Sequence, residues 1–167
     1  NQAISLAEAG DFARASQLLQ EAIDAGQIPG ELRAQVLEAL GDAQYEAGAF
    51  DLAARTYAQL FDLTGDTTAE YKTLLARFEL GEREQLVVPL KRLRVPVGHR
   101  TSKLLADVYY DTGLAEYGER ELKDARKRAV EEVNFEALTD VSVALASHYY
   151  LSERYAEAIE LLVDLPT

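Results

Sequence analysis

Ala144-Leu-Ala-Ser-His-Tyr-Tyr-Leu-Ser-Glu-Arg-Tyr-Ala-Glu-Ala-Ile-Glu-Leu-Leu162 reads as two short helices with a tight break at Ser152-Glu153. Leu145, Ala146, Tyr149 and Tyr150 mark the first helix. Tyr155, Ala158, Ile159 and Leu162 mark the second, at the i, i+3, i+4, i+7 spacing of an amphipathic helix. The small Ala146 and Ala158 let the two helices approach closely, and the large residues are expected to fill the space around them.

The same unit occurs earlier in the chain. Leu105-Ala106-Asp-Val-Tyr109-Tyr110-Asp-Thr-Gly113 repeats the Leu-Ala-x-x-Tyr-Tyr core. A third copy runs from Leu40-Gly41 through Tyr45, Gly48, Phe50 and Ala53 to Tyr57. Gly10-Asp11-Phe12 to Ala22 is the second half of another, and a weaker copy runs from Tyr71 through Leu74, Leu75 and Phe78 to Gly81. The turns fall at Gly10, Gly48, Gly81, Gly113 and Ser152, spaced 38, 33, 32 and 39 residues apart. That period in helical sequence is the mark of a helix-turn-helix solenoid.

The chain resembles the tetratricopeptide repeat (TPR) family over nearly its whole length. That family has a period of about 34 residues, with a Leu-Gly/Ala pair and a Tyr in the first helix. The resemblance implies an all-α fold, a right-handed superhelical solenoid of about five TPR-like units. We place the units at approximately 1–28, 31–65, 67–97, 99–132 and 134–167, within a single repeat domain. The chain begins inside a first helix and stops just after a second, without the polar capping units a solenoid needs. It therefore reads as a fragment of a longer repeat array.

Local signals refine the helix ends. Asp11 and Asn134 are placed to cap helices, and Thr67-x-x-Glu70 is a capping-box signal. Thr64-Gly65-Asp66 and Val95-Pro96-Val97-Gly98 are breaks. In the third unit Pro89 falls inside the second helix, where it lacks an N–H and clashes with the preceding turn, so this helix is expected to kink or to start late.

Composition narrows the function. At 167 residues and 48% hydrophobic, the chain can bury a core. No apolar run approaches the length of a membrane span, so no membrane insertion is expected. The absence of Cys removes thiol and zinc-cysteine chemistry, and it suits a bacterial envelope protein in the periplasm over a cytoplasmic one. A net charge of −12 argues against nucleic-acid binding. That charge is uneven. Residues 1–70 carry 3 basic and 12 acidic side chains, residues 71–130 carry 13 and 9, and residues 131–167 carry 1 and 8. A basic band between acidic ends is a solvated surface or one polarised for a partner.

We find no phosphate loop, no zinc-protease motif and no calcium-loop spacing, so no catalytic residue, cofactor or metal is assigned and no enzyme activity is expected. His99 and His148 read as ordinary surface or packing histidines. The resemblance puts the first helices of the units along a concave groove that binds a peptide or protein. Aligning Leu40, Leu105 and Leu145 as buried positions makes Tyr45, Tyr110 and Tyr150 the groove-facing residues, flanked by Asp42, Asp107, Lys103, Arg100 and Lys72. Tyrosine suits such a surface because it offers much area and a polar handle. The same tyrosines also suit packing between neighbouring units. The Lys/Asn clamp by which one TPR subclass grips chaperone tails lacks its asparagines, with Asp42, Asp107 and Ser147 standing in their place. Arg120, Lys123, Arg126, Lys127 and Arg128 form a second cluster, expected on the outer face as a solvated surface or a docking patch. The expected role is a protein-interaction scaffold. The alternative is a periplasmic segment of a bacterial exopolysaccharide-secretion machine that recruits a modifying enzyme or contacts a cationic polysaccharide.

Overall fold

The computed structural model describes residues 2–166. Ten α-helices follow one another: α1 (Gln2–Glu8), α2 (Phe12–Asp24), α3 (Arg33–Glu46), α4 (Phe50–Thr64), α5 (Thr67–Glu79), α6 (Val87–Val97), α7 (His99–Asp111), α8 (Ala115–Glu131), α9 (Phe135–Leu151) and α10 (Tyr155–Val163). Short 3₁₀ turns, Gly30–Leu32 and Glu84–Leu86, lead into α3 and α6. There is no strand among the described residues. The chain forms two compact units. The first ends at Glu82 and holds α1 to α5; the second begins at Arg83 and holds α6 to α10.

The hairpin turns share one backbone solution. At the end of α3 the Gly48 N–H donates to the Tyr45 carbonyl and the Ala49 N–H to that of Gln44, with Gly48 at φ 77°. Glycine reaches that left-handed region without steric cost. The last hairpin makes the same two bonds, Glu153 to Tyr150 and Arg154 to Tyr149, but there Glu153 takes φ 61° with a side chain attached. The caps follow the sequence at Asp11, which accepts from the Arg14 N–H, and at Asn134, which accepts from that of Ala137. At α5 the cap is Asp66, accepting from the Thr68 N–H, so Thr67 is the first helical residue rather than the cap of a capping box.

Proline sets the form of α6. The helix starts late, at Val87, so Pro89 lies in its first turn, where no intrahelical N–H is required. It then continues through Pro96 to Val97 and ends at Gly98, φ 90°. The break expected across 95–98 therefore falls at its last residue.

In the first unit Leu37, Leu60 and Ala69 bring α3, α4 and α5 together, with Ile23 of α2 against them. A second cluster joins Ala53 and Tyr57 of α4 to Ala76 of α5. Gly41 makes the α3–α4 crossing close: a Cβ there would lie 2.5 Å from Cε1 of Tyr57. In the second unit Ala106, Leu122, Ala125, Val141, Leu145 and Tyr149 form one core from α7, α8 and α9, with Ala158 of α10. Each fully buried leucine contributes roughly 1.5–3 kcal/mol of transfer free energy. Leu40, Leu105 and Leu145 are all buried, in the register read from the sequence.

One expectation fails at α10. Of its amphipathic stripe, only Ala158 is buried; Tyr155, Ile159 and Leu162 are exposed rather than packed. Ala158 joins the core, and the rest of the stripe borders an open groove with α9, where Tyr155 meets Tyr150 edge to face.

Candidate functional site

The residues singled out for the groove lie on α3, α5, α7 and α9. In the first unit Lys72 of α5 reaches back to α3. Its Nζ lies 3.0 Å from Oδ1 of Asp42 and 3.3 Å from Oε1 of Glu38, and 5.5 Å from the centre of the Tyr57 ring. Burial works to lower the Lys72 pKa, but the two carboxylates outweigh it and the ammonium is held above its ordinary value. The Tyr57 hydroxyl donates to the same Asp42 oxygen at 2.7 Å, and burial together with that carboxylate pushes the phenol well up. Tyr45 is half-buried against Ala53, Tyr57 and Ala76, edge-on to Phe50 at 5.1 Å. Its hydroxyl donates to Glu79 at 3.2 Å, and burial first, then Glu79, pushes its pKa up to about 12.

In the second unit α7 and α9 are bridged at two levels. Asp140 of α9 receives His99 Nε2 at 3.2 Å and Lys103 Nζ at 3.6 Å. Asp107 of α7 lies 3.3 Å from His148 Nε2. Tyr110 stacks on the His148 ring, centroids 3.5 Å apart and planes 11° from parallel. The Tyr110 ring also lies over Gly118, where a Cβ would come within 2.7 Å of it. Burial, followed by the charge of Glu119, raises its pKa to about 12. Arg100 is exposed. Tyr150, 63% exposed, meets Tyr155 edge to face at 5.3 Å.

The three tyrosines of the expected ladder thus differ. Tyr45 and Tyr110 pack between helices, and Tyr150 stands open. Around the first two, Lys72 pairs with Glu38 and Asp42, and Lys103 with Asp140, across neighbouring first helices within each unit.

The basic run on α8 is divided in the same way. Arg126 donates from Nε to Ser142 Oγ on α9, and Arg128 from Nη2 to Ser102 Oγ on α7, both at 3.1 Å and both half-buried. Lys123 is 2.6 Å from Glu119, Lys127 3.8 Å from Glu131, and Arg120 lies over the Tyr117 ring at 5.8 Å. Lys123, Arg126 and Lys127 line a cleft of about 500 Å³ floored by Val130, Leu145 and Leu161.

The local pattern missed one cluster. Glu119 accepts from Arg154 at 2.7 Å, from Lys123 at 2.6 Å and from the Tyr149 hydroxyl at 2.9 Å, while the Arg154 guanidinium lies 4.1 Å from the Tyr149 ring centre. Arg154, against the opposing effect of burial, holds the Glu119 carboxyl down to about 2. Lys123 is four positions from Glu119 on the same helix, but Tyr149 and Arg154 lie 30 and 35 positions away, beyond any local pattern. Likewise Glu121, buried on α8, meets Arg94 of α6 at 3.1 Å.

Among the described residues no group of three or more His, Asp or Glu is placed to hold a metal ion, and no helix is long and apolar enough to cross a membrane.

No protein-family model matches the sequence, and no curated protein matches it. Solved structures do. The chain is similar to the Q17M form of a kinesin-light-chain protein with nearly identical TPR-like repeats from Podosopora anserina, at 18% identity and a TM-score of 0.74, over 98% of this chain and 89% of that one. It is similar to the MamA RS-1 double mutant at 16% identity and a TM-score of 0.69, covering 99% and 89%. It is also similar to MamA MSR-1 at 19% identity and a TM-score of 0.62, covering 96% and 92%. The fold is therefore that of TPR-like repeat solenoids, all-α and built of stacked helical hairpins.

Proposed function

We propose that this TPR-like chain is a non-catalytic interaction scaffold that holds a peptide or protein against the first helices of its hairpins. The observation that carries the reading is the pairing of polar groups between first helices within each unit. In the first unit Lys72 bridges Glu38 and Asp42, and in the second His99 and Lys103 meet Asp140 while His148 meets Asp107. These side chains are ordered by one another, so they present fixed donors and acceptors at little further entropic cost. Arg100 and Tyr150 add an exposed cation and an open aromatic ring. The outer cations of α8, Arg120 and Lys127, are a secondary docking surface in the same reading.

The test is a capture experiment from the source organism. The chain is the bait, and an Arg100→Glu/Lys103→Glu/Tyr150→Ala variant, confirmed helical by circular dichroism, is the control. These positions are exposed or half-exposed, so the variant keeps its core. A partner lost by the variant supports the reading; a partner retained by it refutes the assignment to these helices.

A second reading draws on the open Tyr150–Tyr155 pair within the strongly acidic segment 131–167. Such a surface suits stacking on the sugars of a cationic polysaccharide in a bacterial envelope. Binding of that kind weakens steeply with salt. A complex that persists in high salt excludes it.

A further inference from the structure

We infer that the open face of α9 and α10 is a docking site for an amphipathic helix of a partner protein, one with an apolar ridge and basic flanks. Val143, Ser147, Tyr150 and Leu151 of α9, with Ile159 and Leu162 of α10, line an apolar groove of about 550 Å³. The exposures are large for such residues: 77% for Leu151 and 62% for Ile159. Scattered apolar side chains are normal on a surface, but a contiguous apolar groove marks an interaction site.

The preceding hairpin shows what such a face receives. Leu105 and Leu145 are equivalent, forty residues apart, and the same step relates α7 and α8 to α9 and α10. Of the polar and aromatic positions on the α7–α8 face that correspond to the groove, Lys103, Asp107, Tyr110 and Glu119 meet the next hairpin, while Asp111, equivalent to Leu151, pairs with Arg83 before α6. Lys103, equivalent to Val143, meets Asp140. Asp107 and Tyr110, equivalent to Ser147 and Tyr150, both meet His148. Glu119, equivalent to Ile159, binds Tyr149 and Arg154, and Leu122, equivalent to Leu162, is fully buried in the core with Val141 and Leu145. The groove thus continues a series of helix-receiving faces.

The substitutions along the series specify the occupant. Where α7 and α8 offer Lys103, Asp107 and Glu119, the groove offers Val143, Ser147 and Ile159. The internal joint is laced with ion pairs; this one presents almost no charge to a ridge lying in it. The occupant therefore brings apolar side chains where α9 brings Asp140 and His148. Its flanks are set by the surroundings. Residues 131–167 carry 8 acidic side chains and 1 basic one, and Glu136, about two turns before Val143 on the same stripe of α9, is exposed, as is Glu153 in the turn. A second copy of this chain meets that field with like charge through residues 1–70, with 12 acidic and 3 basic side chains, or through residues 131–167; only its 71–130 band, with 13 basic and 9 acidic, carries the opposite sign. Like charge across an interface opposes association.

The inference shares Tyr150 with the first-helix reading, but Ile159 and Leu162 lie on a second helix, so variants there separate the two. The probe is an 18-residue capped peptide of Leu and Lys with Leu on one helical stripe; its Leu/Glu counterpart is the control. Methyl NMR of the full chain locates binding, and titration calorimetry gives affinity. Shifts should centre on Val143, Leu151, Ile159 and Leu162. Ile159→Lys and Leu151→Lys, both at exposed positions, should each weaken the Leu/Lys peptide at least tenfold, and Val95→Lys, at the 91% exposed Val95, should leave it unchanged. The Leu/Glu peptide should bind at least tenfold more weakly than the Leu/Lys one. Shifts spread over the acidic surface without that cluster overturn the proposal, as do Lys variants that bind like the wild type. Equal binding of the two peptides overturns the basic flanks. A dimer in sedimentation that Ile159→Lys dissolves assigns the face to a second copy instead.

Discussion

Gly41→Ala should destabilise the first unit, although an alanine in mid-helix normally stabilises it by about 1 kcal/mol over glycine. The reason is the α3–α4 crossing. The added Cβ lies 2.5 Å from Cε1 and 2.8 Å from Cδ1 of Tyr57. Ordinary contact begins near 3.4 Å, so the ring must retreat by about 1 Å. It has nowhere to go. Tyr57 is 3% exposed, its hydroxyl is held by Asp42 at 2.7 Å, and Lys72 lies over its face. Overpacking of this kind costs about 1–3 kcal/mol, and stretching a hydrogen bond to a charged group forfeits part of a further 1.5–3 kcal/mol or so. Subtracting the propensity gain leaves a net loss of about 2 kcal/mol. The second unit shows how the strain is relieved: there Ala106 occupies the Gly41 position and Leu122 that of Tyr57. Urea unfolding followed by circular dichroism should therefore show Gly41→Ala destabilised. In the Gly41→Ala/Tyr57→Leu double variant most of the alanine's cost should vanish, a coupling of about 2 kcal/mol. A Gly41→Ala protein more stable than the wild type, or a cycle without coupling, would refute the close-crossing argument.

Three further outcomes follow from the same geometry. Glu153→Gly should raise stability by roughly 1 kcal/mol in thermal or urea unfolding, because Glu153 holds a left-handed conformation that costs an L-residue about that much. Arg94→Ala strands the buried Glu121 carboxylate and should destabilise the second unit by about 3 kcal/mol, the lower end for a broken buried pair, with Arg94→Lys recovering part of it. The Glu119 carboxyl is held down to about 2 against an ordinary 4.5, so its unfolded form binds protons first as pH falls. Its contribution is present above pH 4.5 and is lost as pH drops toward 2. The gap in urea midpoint between wild type and Glu119→Gln should close over that range; a gap that stays constant would contradict the Arg154–Glu119 contact.

What was legible in the sequence is what local spacing encodes. Leu40, Leu105 and Leu145 fixed the register, and Pro89 fixed the late start of α6, because each acts through its own helix. The cap of α5 missed by one residue, Asp66 for Thr67, since both residue types cap and only geometry selects. The apolar stripe of α10 was read correctly as a stripe and wrongly as packed: periodicity says which residues share a face, not what lies opposite. The tyrosine ladder divides for the same reason. Tyr110 is covered by His148, 38 residues later, whereas nothing among the described residues covers Tyr150 except Tyr155. His99 and His148 gained partners only when α7 and α9 came side by side, so their pairing with Asp140 and Asp107 has no local signature.

Hydrogen exchange, read by mass spectrometry on the chain with and without its captured partner, tests the scaffold reading most directly. Binding against the first helices predicts added protection in α3, α5, α7 and α9, strongest around Asp42, Lys72, Lys103 and Asp107. Protection confined to α4 and α8, with those first helices unchanged, would contradict it.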